Sequence, residues 1–204
     1  KYPRTFHLPW SEGVDGSDRV LDDVSGIEHE EVIVTVKYDG ENTTMYPNGI
    51  HARSLDSHSH VTRDWVINFH SRICHDIPDG WRVCGENLWA KKSIRYAHLP
   101  ALFLGYSIWD STTCLGWDDT LEWFGLMGIT PVETLYRGVF DEAVLRAIHT
   151  PTRGGDECEG YVARPTRAFS MVEFPRVVGK YVRKDHVRTH AHWMNQRIER
   201  NGMG

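Results

Sequence analysis

The hexapeptide Lys37-Tyr38-Asp39-Gly40-Glu41-Asn42 carries the residue types of covalent chemistry on a nucleotide phosphate. A lysine amine can bond to an electrophile once it has lost its proton. A free lysine is almost fully charged at neutral pH, so burial or cationic neighbours must lower its pKa. Gly40 lets the backbone turn tightly and approach a ligand closely. Asp39 stands two residues beyond Lys37, the spacing of one strand face, where a carboxylate could hold the amine in position. Taken alone, a Lys-x-Asp-Gly string is no more than a strand running into a turn. Its meaning depends on what the rest of the chain brings to it.

The run Glu31-Val32-Ile33-Val34-Thr35-Val36 reads as the strand that delivers Lys37. Further strands are expected at 42–46 and 50–55, joined at Asn48-Gly49, a hairpin signal. Val61, Trp65, Phe69 and Ile73 recur every fourth residue and predict a helix over 60–75 whose aromatic stripe faces the core. Strands follow at 81–86 and 102–109. Asp118-Asp119 opens a helix containing Leu121, Phe124 and Met127, and Asp141 caps a short one. Gly154-Gly155 precedes a strand at 158–164, and the last strands are expected at 170–174 and 177–183. Val187, Ala191, Met194 and Ile198 predict an amphipathic helix over 185–200. Residues 1–30 read as an irregular arm with a short helix around 17–24. Helices interrupt groups of strands without regular βαβ alternation, so the expected class is α+β with mainly antiparallel sheets, in one domain over 1–204.

The chain has 204 residues, enough for a real core, and begins at Lys1 rather than methionine, which leaves room for a missing module. No apolar run has membrane-spanning length and no signal peptide opens the chain, so no membrane partner is expected. Cys74, Cys84, Cys114 and Cys158 form no Cys-x-x-Cys pair, which argues against a zinc ribbon and for reduced thiols in the cytoplasm. His186 and His190 stand four apart, but Val187 occupies the place where a metalloprotease helix needs glutamate. The formal net charge of -5 opposes a general nucleic-acid footprint. Charge is nonetheless clustered: Arg82, Lys91, Lys92 and Arg95 form one basic stretch, and Arg164, Arg167, Arg176, Lys180, Arg183, Lys184 and Arg188 another.

Four further segments follow the lysine hexapeptide in order: His51-Ala52-Arg53-Ser54, Gly85-Glu86-Asn87 through Ser93-Ile94-Arg95-Tyr96, Glu159-Gly160-Tyr161-Val162-Ala163-Arg164, and Gly179-Lys180-Tyr181-Val182-Arg183. With these five segments the chain resembles the covalent nucleotidyltransferases, the superfamily of RNA ligases, DNA ligases and mRNA capping enzymes. The third and fifth segments look most like small ATP-dependent RNA ligases. The opening Lys1–Pro9 looks like the start of stand-alone bacterial and phage members.

The resemblance implies an ATP-grasp-like nucleotidyltransferase domain of two mainly antiparallel sheets, with the nucleotide between them. It implies that Lys37 attacks the α-phosphate of ATP, giving lysyl-AMP and pyrophosphate. AMP then passes to an RNA 5′-phosphate, and a 3′-hydroxyl displaces it. Such in-line displacements depend mainly on positioning and charge neutralisation. Glu86 would accept from the ribose hydroxyls. Glu159 would orient waters of Mg²⁺, with Mn²⁺ as an alternative. Arg53 would bind a phosphate of AMP or of the RNA end. Lys180 would touch the α-phosphate and depress the Lys37 pKa by like-charge repulsion. Tyr106, with Trp109 as second choice, would stack on adenine. The main chain at Val36 would read the base edge, and Asp39 and Asn42 complete the nucleotide set.

Many relatives have two lysines one residue apart in the fifth segment. Here Lys180 has Val178 and Val182 at that spacing, and Arg183 is the remaining candidate for a role at the substrate end. Few residues follow Lys180, mostly one expected helix, so the chain reads either as a minimal enzyme or as a catalytic domain cut from something larger, whose RNA-binding module is missing or separate. A DNA nick-sealing ligase, a GTP-using capping-type enzyme and a non-catalytic nucleotide- or RNA-binding module are the alternative readings.

Overall fold

A computed structural model describes residues 1–53, 60–184 and 198–204. Its centre is strand β2 (Glu31–Lys37), in which Val32 to Val36 are all buried. A continuous β-branched run suits a strand covered on both faces. β2 lies in a five-stranded sheet of order β1-β14-β12-β2-β9, made with β1 (Phe6–His7), β9 (Thr134–Val139), β12 (Gly160–Pro165) and β14 (Gly179–Val182). Every pairing in it is antiparallel except that of β1 with β14.

The second sheet holds β3 (Glu41–Tyr46), β4 (Gly49–Ala52), β5 (Trp81–Asn87), β6 (Phe103–Asp110), β7 (Thr113–Cys114) and β13 (Phe169–Ser170) in the order β13-β7-β6-β5-β3-β4. β8 (Thr130–Pro131) pairs with β6 in parallel, and β10 (Thr152–Arg153) and β11 (Asp156–Glu157) form a separate hairpin. One core joins Val32, Val34, Tyr161 and Ala163 of the first sheet to Cys84, Trp109 and Cys114 of the second. Another packs Val66 and Ile73 of α1 (Asp64–Ile73) and Phe124 and Met127 of α2 (Trp117–Met127) against Met45, Val83, Phe103 and Ile108. The class is α+β.

Local chemistry explains most elements. The carboxylate of Asp141 accepts from the N–H groups of Ala143 and Val144 and starts α3 (Glu142–Ala147), as the sequence suggests. Other elements differ from expectation. Tyr46 pairs with Gly49, so the β3–β4 loop is Pro47-Asn48 rather than Asn48-Gly49. Among the described residues the only non-glycine with positive φ is Ser111, so this loop is not the primed turn that Asn-Gly favours. The expected strand at 170–174 ends after Ser170, and Phe174–Val177 forms a helical turn, α4, with proline in its first turn and Phe174 and Val177 buried. Residues 17–24 are irregular rather than helical, with Val20 bridging His7. β9 carries no clear signal, because this edge strand is only half-buried and ends on the exposed Val139.

The expected helix at 185–200, and with it His186 and His190, lies largely outside the described residues. Residues 198–204 run back along the loop after β5. There Asn201 Oδ1 accepts from the Tyr96 N–H at 2.9 Å and its Nδ2 donates to the Leu88 carbonyl at 2.8 Å. Among the described residues no helix is long and apolar enough to cross a membrane.

Candidate active site

Lys37 ends β2 directly opposite Gly160 of β12. Thr35, Val162 and Lys180 lie side by side across β2, β12 and β14, so Lys37 and Lys180 rise from one face of the sheet. Glu159 immediately precedes β12, and its Oε1 accepts from the Lys37 amine at 2.5 Å. This close approach of strands needs glycine at position 160. A Cβ there would lie 1.9 Å from the Tyr181 carbonyl oxygen, a backbone atom that cannot swing aside. Gly160→Ala is expected to cost about 3 kcal/mol or more, by forced separation of β12 and β14. A urea titration checks this; an unchanged midpoint would show that the strands part freely.

The second sheet supplies the opposite wall. Asn42 and Glu86 are cross-strand neighbours on β3 and β5. Glu86 Oε1 accepts from the Gly40 N–H at 3.2 Å. Gly40 is required by close approach, since a Cβ there would meet the Asn87 carbonyl oxygen at 2.6 Å. The Asn42 amide donates to the Tyr106 hydroxyl in a short hydrogen bond. The Tyr106 ring stands edge-on to Tyr2, 5.2 Å between centroids. Trp109, the second choice for stacking, is fully buried among Tyr2, Phe169 and Phe174 and serves the core.

The Asp39 carboxylate accepts from the N–H groups of Ser93 and Ile94, at 2.7 and 2.9 Å, while the Asp39 N–H donates to the Tyr96 hydroxyl. It fixes the third segment against the lysine turn and acts electrostatically on the Lys37 amine. The Val36 N–H donates to the Glu133 carbonyl at 2.8 Å, so a base-edge contact from Val36 must use its carbonyl. Arg53 is exposed at the end of β4 and within electrostatic reach of Lys180. Arg183 pairs with Glu157, and its N–H donates to the Glu159 carbonyl at 3.0 Å. A cavity of about 580 Å³, lined by Val36, Tyr38, Tyr96, Leu99 and Arg153 among others, lies beside this strand end; Glu86, Glu159 and Lys180 are not on its wall.

Charge states follow from burial and partners. Burial works against the Lys37 ammonium, but the carboxylates of Glu159 and Glu86, with Asp39, outweigh it and hold the pKa above its ordinary value. The like-charge repulsion expected to depress Lys37 instead falls on Lys180, whose pKa is lowered first by burial and then by Lys37. Glu86 is pushed up to about 8, chiefly by burial, with Glu159 and Asp39 adding and Lys37 and Lys92 opposing. Burial also keeps the Tyr106 phenol protonated. The site therefore holds a charged Lys37 and, at neutral pH, a largely neutral Glu86.

No group of three or more histidine, cysteine, aspartate or glutamate side chains that could hold a metal exists among the described residues. A hard divalent cation such as Mg²⁺ keeps waters and binds through one or two carboxylates and phosphate oxygens, and the Glu159 carboxylate beside Lys37 is of that donor type. Sequence reasoning missed Tyr2, Ser11, His7 and Asp18, which the N-terminal arm brings to Tyr106 and Lys180. Tyr2 and His7 lie in the opening Lys1–Pro9 stretch, whose resemblance assigned them no role, and no periodicity marks Ser11 or Asp18.

Two facing, mainly antiparallel sheets, with a strand-end lysine on one and a carboxylate–asparagine–tyrosine wall on the other, define the fold of a nucleotidyltransferase. The chain belongs to the RNA ligase family, whose model matches residues 30–182. The solved structures it resembles include mutants of an RNA ligase from Naegleria gruberi: an apo form (TM-score 0.55), one with ATP and Mn (0.54) and one with AMP and Mn (0.54), each 14% identical. Each match covers 89% of this chain and 57% of the other. The chain thus spans little more than half the length of these relatives. No curated protein matches it.

Proposed function

We propose that this chain is the adenylyltransferase domain of an ATP-dependent RNA ligase that joins 5′-phosphate and 3′-hydroxyl RNA ends. The observation that carries the reading is the Lys37 amine bonded to Glu159, with Glu86 within electrostatic reach and Lys180 on the same sheet face. The Naegleria gruberi structures with ATP and Mn, and with AMP and Mn, support the nucleotide and the divalent ion.

The resting Lys37 is an ammonium, so it must release a proton before its nitrogen bonds to the α-phosphorus of ATP. The bond from that phosphorus to the β,γ-pyrophosphate breaks, and the second proton leaves as the phosphoramidate forms. Lys180 and Arg53 offset the charge on the phosphates. Glu86 takes the ribose hydroxyls and Tyr106 the adenine face, with Val36, Asp39 and Asn42 shaping the base and sugar side. Mg²⁺ or Mn²⁺, when bound beside the triphosphate, neutralises phosphate charge, and Glu159 would hold its waters. Arg53 and Arg183 would meet the RNA end; for Arg183 this requires release from Glu157.

A missing or separate module is a candidate for RNA recognition beyond the ends. The described cysteines are free, in keeping with a cytoplasmic setting. The test is incubation with α-labelled ATP and Mg²⁺, peptide mapping of the acid-stable adduct, and sealing of matched RNA and DNA nicks. An ATP adduct on Lys37 with RNA sealing is expected. A GTP-only adduct would move the reading to capping chemistry, and DNA-only sealing to a DNA ligase.

A further inference from the structure

The N-terminal arm places a buried polar chain beside Lys180. β1 runs parallel to β14 with His7 in register with Lys180, so both side chains lie on one sheet face. His7 is 1% exposed. Its Nδ1 lies 2.7 Å from Ser11 Oγ, and its Nε2 lies 3.1 Å from Asp18 Oδ2. Ser11 Oγ accepts the Val182 N–H at 2.9 Å. Its single proton can serve either His7 Nδ1 or the Val182 carbonyl at 3.4 Å. The Asp18 carboxylate beside Nε2 favours the tautomer with the proton on Nε2 and Nδ1 accepting, although Nε2 and Oδ2 are out of line for a hydrogen bond. Burial and the neighbouring Lys180 charge keep the ring neutral.

Asp18 is therefore held from several sides. Arg4 reaches its Oδ1 at 3.4 Å and the Ser17 carbonyl at 2.6 Å, and the Asp15 N–H donates to Oδ2 at 3.4 Å. Oδ1 faces the Lys180 amine at 3.8 Å. The groups around that amine are Lys37 and Arg53, which repel it, Asp18 and Glu159, which attract it, and the neutral His7. Burial and two cations favour loss of its proton, and Asp18 is the carboxylate in ion-pair contact that opposes this.

We propose that Asp18, fixed by Arg4 and the Asp15 N–H and flanked by His7, is a positioning residue that keeps Lys180 a charged ammonium aimed along the Lys37 face. Its part in catalysis rests on the ligase reading; its hold on Lys180 does not. The pair lies far enough apart for the ammonium to turn toward an arriving phosphate without first breaking a tight bond.

Asp18→Asn keeps the shape and an acceptor for His7 and removes the charge. In the full chain without nucleotide, trace acetylation with acetic anhydride across pH, read by peptide mass spectrometry, reports the titration midpoint of Lys180. The expected result is a shift of that midpoint to lower pH, with the exposed Lys184 unmoved. Single-turnover adduct formation from ATP should fall about tenfold, while the melting temperature stays within about 2 °C. A purely structural role would lower the melting temperature and leave the Lys180 midpoint in place, overturning the proposal. A shifted midpoint with an undiminished adduct rate would overturn it too. Asp18→Ser serves as the second variant if Asp18→Asn does not fold. A wild-type protein that forms no adduct would sink the ligase reading, and the acetylation midpoint would still decide the Asp18–Lys180 link.

Discussion

Lys37→Ala and Lys37→Arg are both expected to abolish adduct formation with labelled ATP, a loss on the order of 10⁴-fold or more, as when a covalent nucleophile is removed. The two variants differ in what they do to the fold. Alanine removes the ion-pair partner of Glu159, whose side chain is only 6% exposed. Deleting one member of a buried pair is strongly destabilising, and the partial exposure of Lys37 moderates this to about 2 kcal/mol. Arginine keeps a cation for Glu159, so its melting temperature should stay close to wild type. An inactive, well-folded Lys37→Arg protein therefore separates the nucleophile from the strut. Adduct retained in either variant, mapped to any other lysine, refutes the assignment. The same ion pair sets the pH dependence. Glu159 and Glu86 hold the Lys37 pKa above its ordinary value, so the reactive free amine is scarce at neutral pH. The wild-type adduct rate should climb as pH rises from 6 to 9, and a flat profile would show that nucleotide binding has already removed the proton.

The strand that delivers Lys37 was legible because a run of β-branched residues has few other ways to be buried on both faces. Gly40 and Gly160 were legible in type, and the coordinates supply the reason: each sits where a neighbouring backbone leaves no room for a Cβ. Charge states were not legible. Whether a neighbouring lysine or a carboxylate governs Lys37 depends on register across β2, β12 and β14, which places Glu159 on the amine and Lys180 two residues along, in the row of Thr35 and Val162. The N-terminal arm was not legible for a related reason. Two residues of strand carry no periodicity, and His7 acquires its surroundings from Lys180, 173 positions along the chain. The turn at 174–177 failed because Phe174 and Val177 are apolar enough for a buried strand, while Pro175 suits the first turn of a helix equally well.

Glu86→Gln should make the nucleotide-free protein more stable at alkaline pH while crippling it as an enzyme. The folded Glu86 carboxyl is pushed from its ordinary 4.5 up to about 8, chiefly by burial. Between those values the folded protein holds a proton that the unfolded chain has released. Stability therefore falls as pH rises through this window, and Glu86's contribution is fully lost above the folded value. Glutamine cannot ionise, and its carbonyl can still accept the Gly40 N–H. The difference in melting temperature, variant minus wild type, should grow in favour of glutamine from about pH 5 to about pH 8 and then level off. His7 and His149, whose pKa values burial lowers, titrate alike in both proteins and drop out of the difference. Adduct formation at saturating ATP should fall about 100-fold if the ionised carboxylate receives the ribose hydroxyls. Thermal melts over the pH range and single-turnover labelling test the two halves separately. Parallel melting curves would show that the carboxyl is solvated in the folded protein, and unaltered labelling would remove Glu86 from the nucleotide set. Opposite signs in the two measurements would mean that the fold tolerates an unfavourable buried acid because a bound ligand uses it.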